Sequence, residues 1–126
     1  MASAGNTPGR PLIVVEDDPF LRLMPVILDP DAPAAMMAAF VDFMAHDEPD
    51  FIGWCARLRA AVPELWPAEV RLVGTHDELL AALPRADIAM VESLPFGAEE
   101  VAAIAYARVM DGPRARDTIT TRAITH

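Results

Sequence analysis

The sequence predicts an α/β fold, an open parallel sheet with helices on both faces. Short apolar runs rich in β-branched residues alternate with longer segments of helical spacing, the order that parallel βαβ units require. The first run, Leu12 to Val15, has no polar alternation, which is typical of a strand buried on both faces. With 126 residues, 53% of them hydrophobic, the chain has enough apolar side chains for one core.

This pattern divides the chain into three segments. We expect a flexible lead at residues 1–10, a single α/β domain at residues 11–110, and a strand or loose tail at residues 111–126. The lead is small and polar, with glycine and proline, which favours a loop. Within the tail, residues 118–125 are rich in β-branched side chains, which favours a last strand at the sheet edge.

The segment after the first strand begins with an acidic turn, Glu16-Asp17-Asp18. Residues 20–28 follow and are apolar, but Pro25 lies in the middle of them. Because proline interrupts helices, we expect a short helical turn and then extended or irregular backbone at residues 26–28.

Two helices are expected before the second strand. Asp31 is a candidate cap for a helix at residues 34–45, whose broad apolar stripe predicts burial of much of its circumference. The stripe consists of Met36, Met37, Phe40, Val41, Phe43 and Met44. The next helix, at residues 51–62, carries Arg57 and Arg59, which are predicted to point outward.

The second half of the domain continues the alternation of strand and helix. Val70 to Val73 is the second predicted strand. Thr75 and Glu78 have the spacing of a capping box, which predicts the start of a helix at residues 77–83. The remaining predicted elements are a strand at residues 87–91 and a helix at residues 98–110.

Together these elements predict a flavodoxin-like sheet. Ligands of such sheets bind beyond the carboxyl ends of the strands. The strand-end residues Glu92, Ser93, Leu94, Thr75 and His76 are therefore candidate ligand-binding residues. For His76 the sequence also allows a general base or an exposed residue in a first helical turn.

The acidic turn is a candidate metal site. Glu16, Asp17 and Asp18 offer the oxygen ligands that Mg²⁺ prefers, although adjacent acids are also common in solvated turns. No other cofactor is evident from the sequence, since it lacks the Gly-x-Gly-x-x-Gly pattern of dinucleotide-binding loops.

Charge and composition exclude several functions. All ten basic residues are arginines, so mechanisms that need a lysine are excluded. The net charge of −9 disfavours nucleic-acid binding, and we expect no membrane association because no apolar run is long enough for a span. Cys55 is the one cysteine, which predicts a buried structural thiol in a cytoplasmic protein.

The chain resembles the amino-terminal part of the D-isomer-specific 2-hydroxyacid dehydrogenases over roughly residues 11–105. The resemblance rests on the strands Leu12 to Asp18 and Val70 to Val73, on the helix, acidic turn and strand from Asp77 to Ser93, and on the turn and helix from Leu94 to Ala103. The segment between the first two strands, Asp29 to Pro67, is longer than that family's usual crossover.

This resemblance implies the substrate half of such an enzyme. The family's catalytic residues and nucleotide-binding half come later than this chain extends, and its glycine-rich carboxylate-binding loop is missing here. It implies a standalone domain without dehydrogenase activity of its own. We expect such a domain to bind a small ligand, to form homo-oligomers or to serve as a partner subunit of a catalytic chain.

Two alternatives stay open. The stretch Val14 to Arg22 is similar to the first strand and acidic pocket of response-regulator receiver domains, which implies a degenerate signalling module. The receiver's phosphorylated aspartate has no counterpart at Gly53-Trp54-Cys55, and its lysine cannot exist in this chain. The second alternative is a small metal-dependent or acid–base enzyme that uses the strand-end acids with His76 or Ser93.

Overall fold

In the part of the chain that the structure describes, the sheet contains four parallel strands, which lie side by side in the order second, first, third and fourth along the chain. The structure, a computed structural model, describes residues 9–111 and 121–123. The strands are β1 (Leu12–Glu16), β2 (Glu69–Val73), β3 (Ile88–Val91) and β4 (Thr121–Ala123). With helices between successive strands, this arrangement confirms the predicted α/β, flavodoxin-like open sheet.

Parts of the predicted terminal segments lie outside the described residues. Of the predicted lead, only Gly9 and Arg10 are described. Of the predicted tail, Asp111 ends the last helix and β4 occupies part of the expected strand at residues 118–125.

Strand β1 lies at the centre of the sheet, and all five of its residues are buried. Its side chains alternate between two apolar clusters, with Leu12 and Val14 in one and Ile13 and Val15 in the other. Both faces of the strand are covered at Leu12 to Val15, so these positions need apolar side chains, which explains the uninterrupted run in the sequence.

Three helices connect β1 to β2 and cover the Ile13 and Val15 face. They are α1 (Leu23–Leu28), α2 (Ala34–Phe43) and α3 (Phe51–Ala61). The expectation of irregular backbone at residues 26–28 is wrong, because α1 continues to Leu28. Pro25 is the third residue of α1, where a backbone N–H has no partner within the helix, so proline is tolerated there.

The prediction that α2 is buried on much of its circumference is also wrong. None of its residues is buried, and Phe43 is 70% exposed. The helix lies at the outside of this layer, where Met36, Phe40 and Met44 are only partly buried against the cluster. A broad apolar stripe therefore does not by itself determine whether a helix is central or peripheral.

Helix α3 supplies the most deeply buried side chains of this layer, Phe51 and Cys55. Cys55 is fully buried, as predicted, and burial raises the pKa of its thiol. Arg57 is exposed as expected, but the outward prediction for Arg59 is wrong. Arg59 donates a hydrogen bond to the carbonyl of Ile27 at 3.0 Å, and its guanidinium lies 4.7 Å from the ring centroid of Trp66.

Two helices cover the opposite face, α4 (His76–Ala82) and α5 (Ala98–Asp111). Leu79 and Leu83 are fully buried here against Leu12 and Val14, and Ile104 of α5 packs on the same cluster. No helix within the described residues has both the length and the apolar character to cross a membrane.

Candidate functional site

The predicted site residues lie at one edge of the sheet. Strands β1, β2 and β3 are parallel and in register, so Glu16, Val73 and Val91 end at the same side. The loops that follow these strands carry the acidic turn, the Thr75 cap and the turn at residues 92–94.

Glu16 binds the turn that follows β3. Its Oε1 accepts hydrogen bonds from three successive backbone N–H groups at 2.8, 2.8 and 2.9 Å, those of Glu92, Ser93 and Leu94. Its Oε2 accepts a hydrogen bond from the hydroxyl of Ser93 at 2.5 Å. The carboxylate of one strand therefore holds the loop of its neighbour in place.

These hydrogen bonds determine the charge state of Glu16. Burial alone would raise the pKa of its carboxyl group. The hydroxyl of Ser93 and the three backbone N–H groups act in the opposite direction and outweigh burial, lowering the pKa from 4.5 to about 2. Glu16 is thus an ionised, buried carboxylate that accepts hydrogen bonds at both oxygens.

The other two acids of the predicted metal site have different partners. Asp17 accepts a hydrogen bond from Nε of Arg22 at 2.6 Å. Asp18 accepts hydrogen bonds from the backbone N–H groups of Phe20 and Leu21 at 2.9 and 3.2 Å, which shapes the turn into α1. A Mg²⁺ ion at this turn would have to compete with these donors, and the magnesium site stays a prediction.

Thr75 caps helix α4. Its hydroxyl accepts a hydrogen bond from the backbone N–H of Glu78 at 3.1 Å, and the Glu78 carboxylate accepts from the N–H groups of Thr75 and Gly74 at 3.0 and 2.7 Å. This confirms the capping box predicted from the spacing. The Thr75 hydroxyl therefore has a structural role at this edge.

His76 forms a close pair with an acid of α5. Its Nε2 lies 2.6 Å from Oε1 of Glu100, which is 3% exposed, and 3.7 Å from Oε1 of Glu99. The hydrogen bond to Glu100 raises the pKa of His76, and the same hydrogen bond lowers the pKa of Glu100. His76 is therefore partly buried and paired with a carboxylate, which differs from the exposed residue that the sequence also allowed.

Glu99 and Glu100 are the part of this cluster that the sequence reasoning missed. Both lie in the first turn of a helix predicted only as a secondary-structure element. Glu100 accepts a hydrogen bond from the N–H of Gly97 at 3.2 Å. The sequence places Glu100 at the start of this helix, but no local spacing indicates that it meets His76, because the two residues lie on different helices.

The edge is strongly acidic. Its strand ends, loops and first helical turns contain the carboxylates of Glu16, Asp17, Asp18, Asp77, Glu78, Glu92, Glu99 and Glu100. The basic side chains in the same segments are Arg22, which pairs with Asp17, and His76. The electrostatic field of such an edge repels anions and attracts cations.

An apolar groove opens beside the loop that follows β1. It has a volume of about 510 Å³ and lies between this loop and α2. Its lining consists of Pro19, Phe20, Arg22, Pro33, Ala35, Met36, Ala39, Phe40 and Phe43. The sequence reasoning missed this groove, because it assigned the aromatic side chains of α2 to the core.

Comparisons with known proteins add no relative. A scan against protein-family models, a search of curated proteins and a search of solved structures found no match for this chain. The two resemblances stated from the sequence therefore stay predictions.

Proposed function

We propose that this chain is a small-ligand-binding domain whose ligand is a compact, mainly apolar and uncharged molecule held in the groove between the β1 loop and α2. The observation that carries this proposal is the groove itself. Its volume of about 510 Å³ is within the range of small-molecule sites, roughly 300–1,000 Å³. Its lining is apolar and aromatic apart from Arg22.

The position of the groove supports a ligand site. Pro19 and Phe20 belong to the loop that directly follows β1, and ligands of open α/β sheets bind beyond the carboxyl ends of the strands. Phe20 is 74% exposed, which leaves a large aromatic surface available at the rim. Exposed apolar side chains that cluster together, rather than lying singly, indicate a binding surface.

The floor of the groove is held by the core. The ring of Phe40 stacks on the buried ring of Phe51 with centroids 6.0 Å apart, and Phe51 in turn stacks on Trp54 at 5.5 Å. Because Phe51 is fixed by the core, Phe40 presents a constrained surface to a ligand. A ligand that binds a preformed surface loses less free energy to ordering the protein.

Charge favours an uncharged ligand. Arg22, the one cation in the lining, already pairs with Asp17 at 2.6 Å, and the neighbouring edge is acidic. An acidic ligand, such as the 2-hydroxy acid that the dehydrogenase resemblance implies, would therefore find no unpaired cation in this lining. We therefore keep the ligand-binding role that the resemblance implies and assign it a different class of ligand.

A fluorescence titration with the neutral probe N-phenyl-1-naphthylamine tests the proposal. We expect a saturable rise in fluorescence, and a weaker rise with an anionic anilinonaphthalene sulfonate. The variant Ala39→Trp fills the groove from α2 and should abolish saturation. Ala56→Trp is the matched control, because Ala56 is also an exposed helical alanine but lies on α3, outside the groove lining.

The results distinguish a small ligand from a second copy of the chain as the occupant of the groove. Saturable binding that Ala39→Trp removes and Ala56→Trp keeps supports the proposal. Absence of saturation, or binding that both variants retain, contradicts it. If sedimentation shows a dimer that Ala39→Trp dissociates, the groove is an interface between copies of this chain, and the small-ligand proposal is wrong.

The other roles implied by the dehydrogenase resemblance are tested separately. As a partner subunit or substrate half, the chain alone should neither bind NADH saturably nor turn over a 2-oxo acid, and either activity would contradict this expectation. The receiver alternative stays a second proposal. Helix α3 replaces the strand that the sequence comparison expected near Gly53-Trp54-Cys55, and the strand beside β1, on the side opposite β2, is instead β3, which ends at Val91. Magnesium-dependent uptake of phosphate from a small phosphodonor would support this alternative, and no uptake would remove it.

A further inference from the structure

We infer that His76, Glu99 and Glu100 form a binding site for a transition-metal dication of the Zn²⁺ class, joining the first turns of α4 and α5. The site lies on the opposite face of the sheet from the groove, because α4 and α5 pack against Leu12 and Val14, whereas α2 packs on the Ile13 and Val15 side. The inference is therefore independent of the proposed ligand.

The donor atoms already have nearly the required spacing. One ligand atom from each residue lies within 4.8 Å of the other two. The Nε2 atom of His76 is 2.6 Å from Glu100 Oε1 and 3.7 Å from Glu99 Oε1. Ligand atoms about 2.1 Å from a tetrahedral metal lie roughly 3.4 Å apart, so both distances need to change by less than about 1 Å.

The types of donor determine the class of metal. An imidazole nitrogen with two carboxylates suits Zn²⁺ and other divalent first-row transition metals. Mg²⁺, in contrast, prefers oxygen ligands and retains several of its water molecules. Three protein ligands leave a fourth tetrahedral position for water, the arrangement of open zinc sites. In the metal-bound form, the ion takes the place of the proton shared by His76 and Glu100.

The surroundings orient Glu100 and leave Glu99 able to turn. Oε2 of Glu100 accepts the N–H of Gly97, which leaves Oε1 directed toward His76. Proteins usually orient a metal-binding carboxylate in this way, by a hydrogen bond to the oxygen that does not bind the metal. Glu99 is 69% exposed, so its carboxylate can turn toward an incoming ion without disturbing the core.

One effect opposes a cation here. The first turns of two helices meet at this point, and the N-terminal end of a helix carries partial positive charge. The carboxylates of Asp77, Glu78, Glu99 and Glu100 surround the same point and offset that charge. The local field therefore favours the cation.

Cobalt absorption spectroscopy and zinc-dependent thermal unfolding test the inference on the full chain. We expect one Co²⁺ per chain, with visible bands and no thiolate charge-transfer band, because Cys55 is fully buried on the other face. We also expect Zn²⁺, but not Mg²⁺, to raise the melting temperature saturably. Glu99→Gln should weaken binding at least about tenfold, and His76→Asn should remove it.

The chain offers a matched control for nonspecific imidazole binding. The double variant His46→Asn/His126→Asn keeps His76 as its one histidine and should bind Co²⁺ like the wild type. Melting in a chelator first establishes that each variant folds, and the exposed Glu99→Gln variant decides the matter if His76→Asn does not fold. No saturable binding by the wild type, or binding that His76→Asn or Glu99→Gln leaves unchanged, overturns the inference.

Discussion

The hydroxyl of Ser93 donates a hydrogen bond to the carboxylate of Glu16 at 2.5 Å, although 77 positions separate the two residues in the chain. Glu16 ends the central strand, and Ser93 lies in the turn after the neighbouring strand. Backbone N–H groups of the same turn donate to the other carboxylate oxygen. This interaction makes Glu16 a structural residue of the carboxyl edge.

Glu16 should make folding stability depend on pH. Its pKa falls from 4.5 to about 2 on folding, so its contribution is fully present above the unfolded pKa. The contribution is lost as the pH falls toward the folded pKa, and the whole shift corresponds to about 3 kcal/mol. Urea unfolding at a series of pH values down to about pH 3 should show about 2 kcal/mol of this loss, because the folded pKa lies below that range.

The variant Glu16→Gln keeps the shape of the side chain and removes its charge. We expect it to be less stable than the wild type at neutral pH, by about 1–3 kcal/mol, and to converge with it as the pH falls. Glu64→Gln, at an exposed glutamate of the short 3-10 turn Pro63–Leu65, is the control. Parallel pH profiles for Glu16→Gln and the wild type would contradict the assignment.

The cap of α4 gives a second measurable effect. Thr75→Ala removes the hydroxyl that accepts the Glu78 N–H, and we expect a loss of about 1 kcal/mol in the free energy of unfolding. Thr75→Ser retains the hydroxyl and should stay close to the wild type. If chemical denaturation gives equal losses for both substitutions, the hydrogen bond is not the cause.

Cys55 should be unreactive in the folded protein. Its thiol is fully buried, and burial raises its pKa, so both access and thiolate formation are disfavoured. We expect a disulfide reagent such as Ellman's to modify it slowly, with a rate that rises steeply when urea unfolds the chain. Fast modification in buffer, without loss of native circular dichroism, would contradict this burial.

Two phenylalanines should differ sharply in their effect on stability. Phe51 is buried and contacts both Phe40 and Trp54, so Phe51→Ala should cost about 3–5 kcal/mol. Phe20 is exposed, so Phe20→Ala should change the free energy of unfolding by no more than about 0.5 kcal/mol. Because Phe20 lines the groove, the same variant should bind the neutral probe more weakly. Comparable losses of stability would mean that Phe20 belongs to the core.

Patterns that depend on neighbours in sequence were predicted well. The strand β1, the capping box at Thr75 and the sheet class follow from residue spacing and side-chain type over a few positions. The same reasoning failed at Pro25, where the outcome depended on its position within the first helical turn. It also failed for α2, because an apolar stripe does not show whether other elements pack over the helix or leave it at the surface.

The sequence by itself determined that strands and helices alternate, that β1 is buried on both faces, and that acidic and polar residues follow the strands. Only the tertiary structure decided which of these residues meet. It paired Glu16 with Ser93, Asp17 with Arg22, and His76 with Glu100. The physical reason is that local spacing controls backbone conformation, whereas the partner of a side chain across the sheet depends on strand order and helix packing. For the same reason, the carboxylate of Glu16 that the sequence offers as a metal ligand serves in the fold as a hydrogen-bond acceptor.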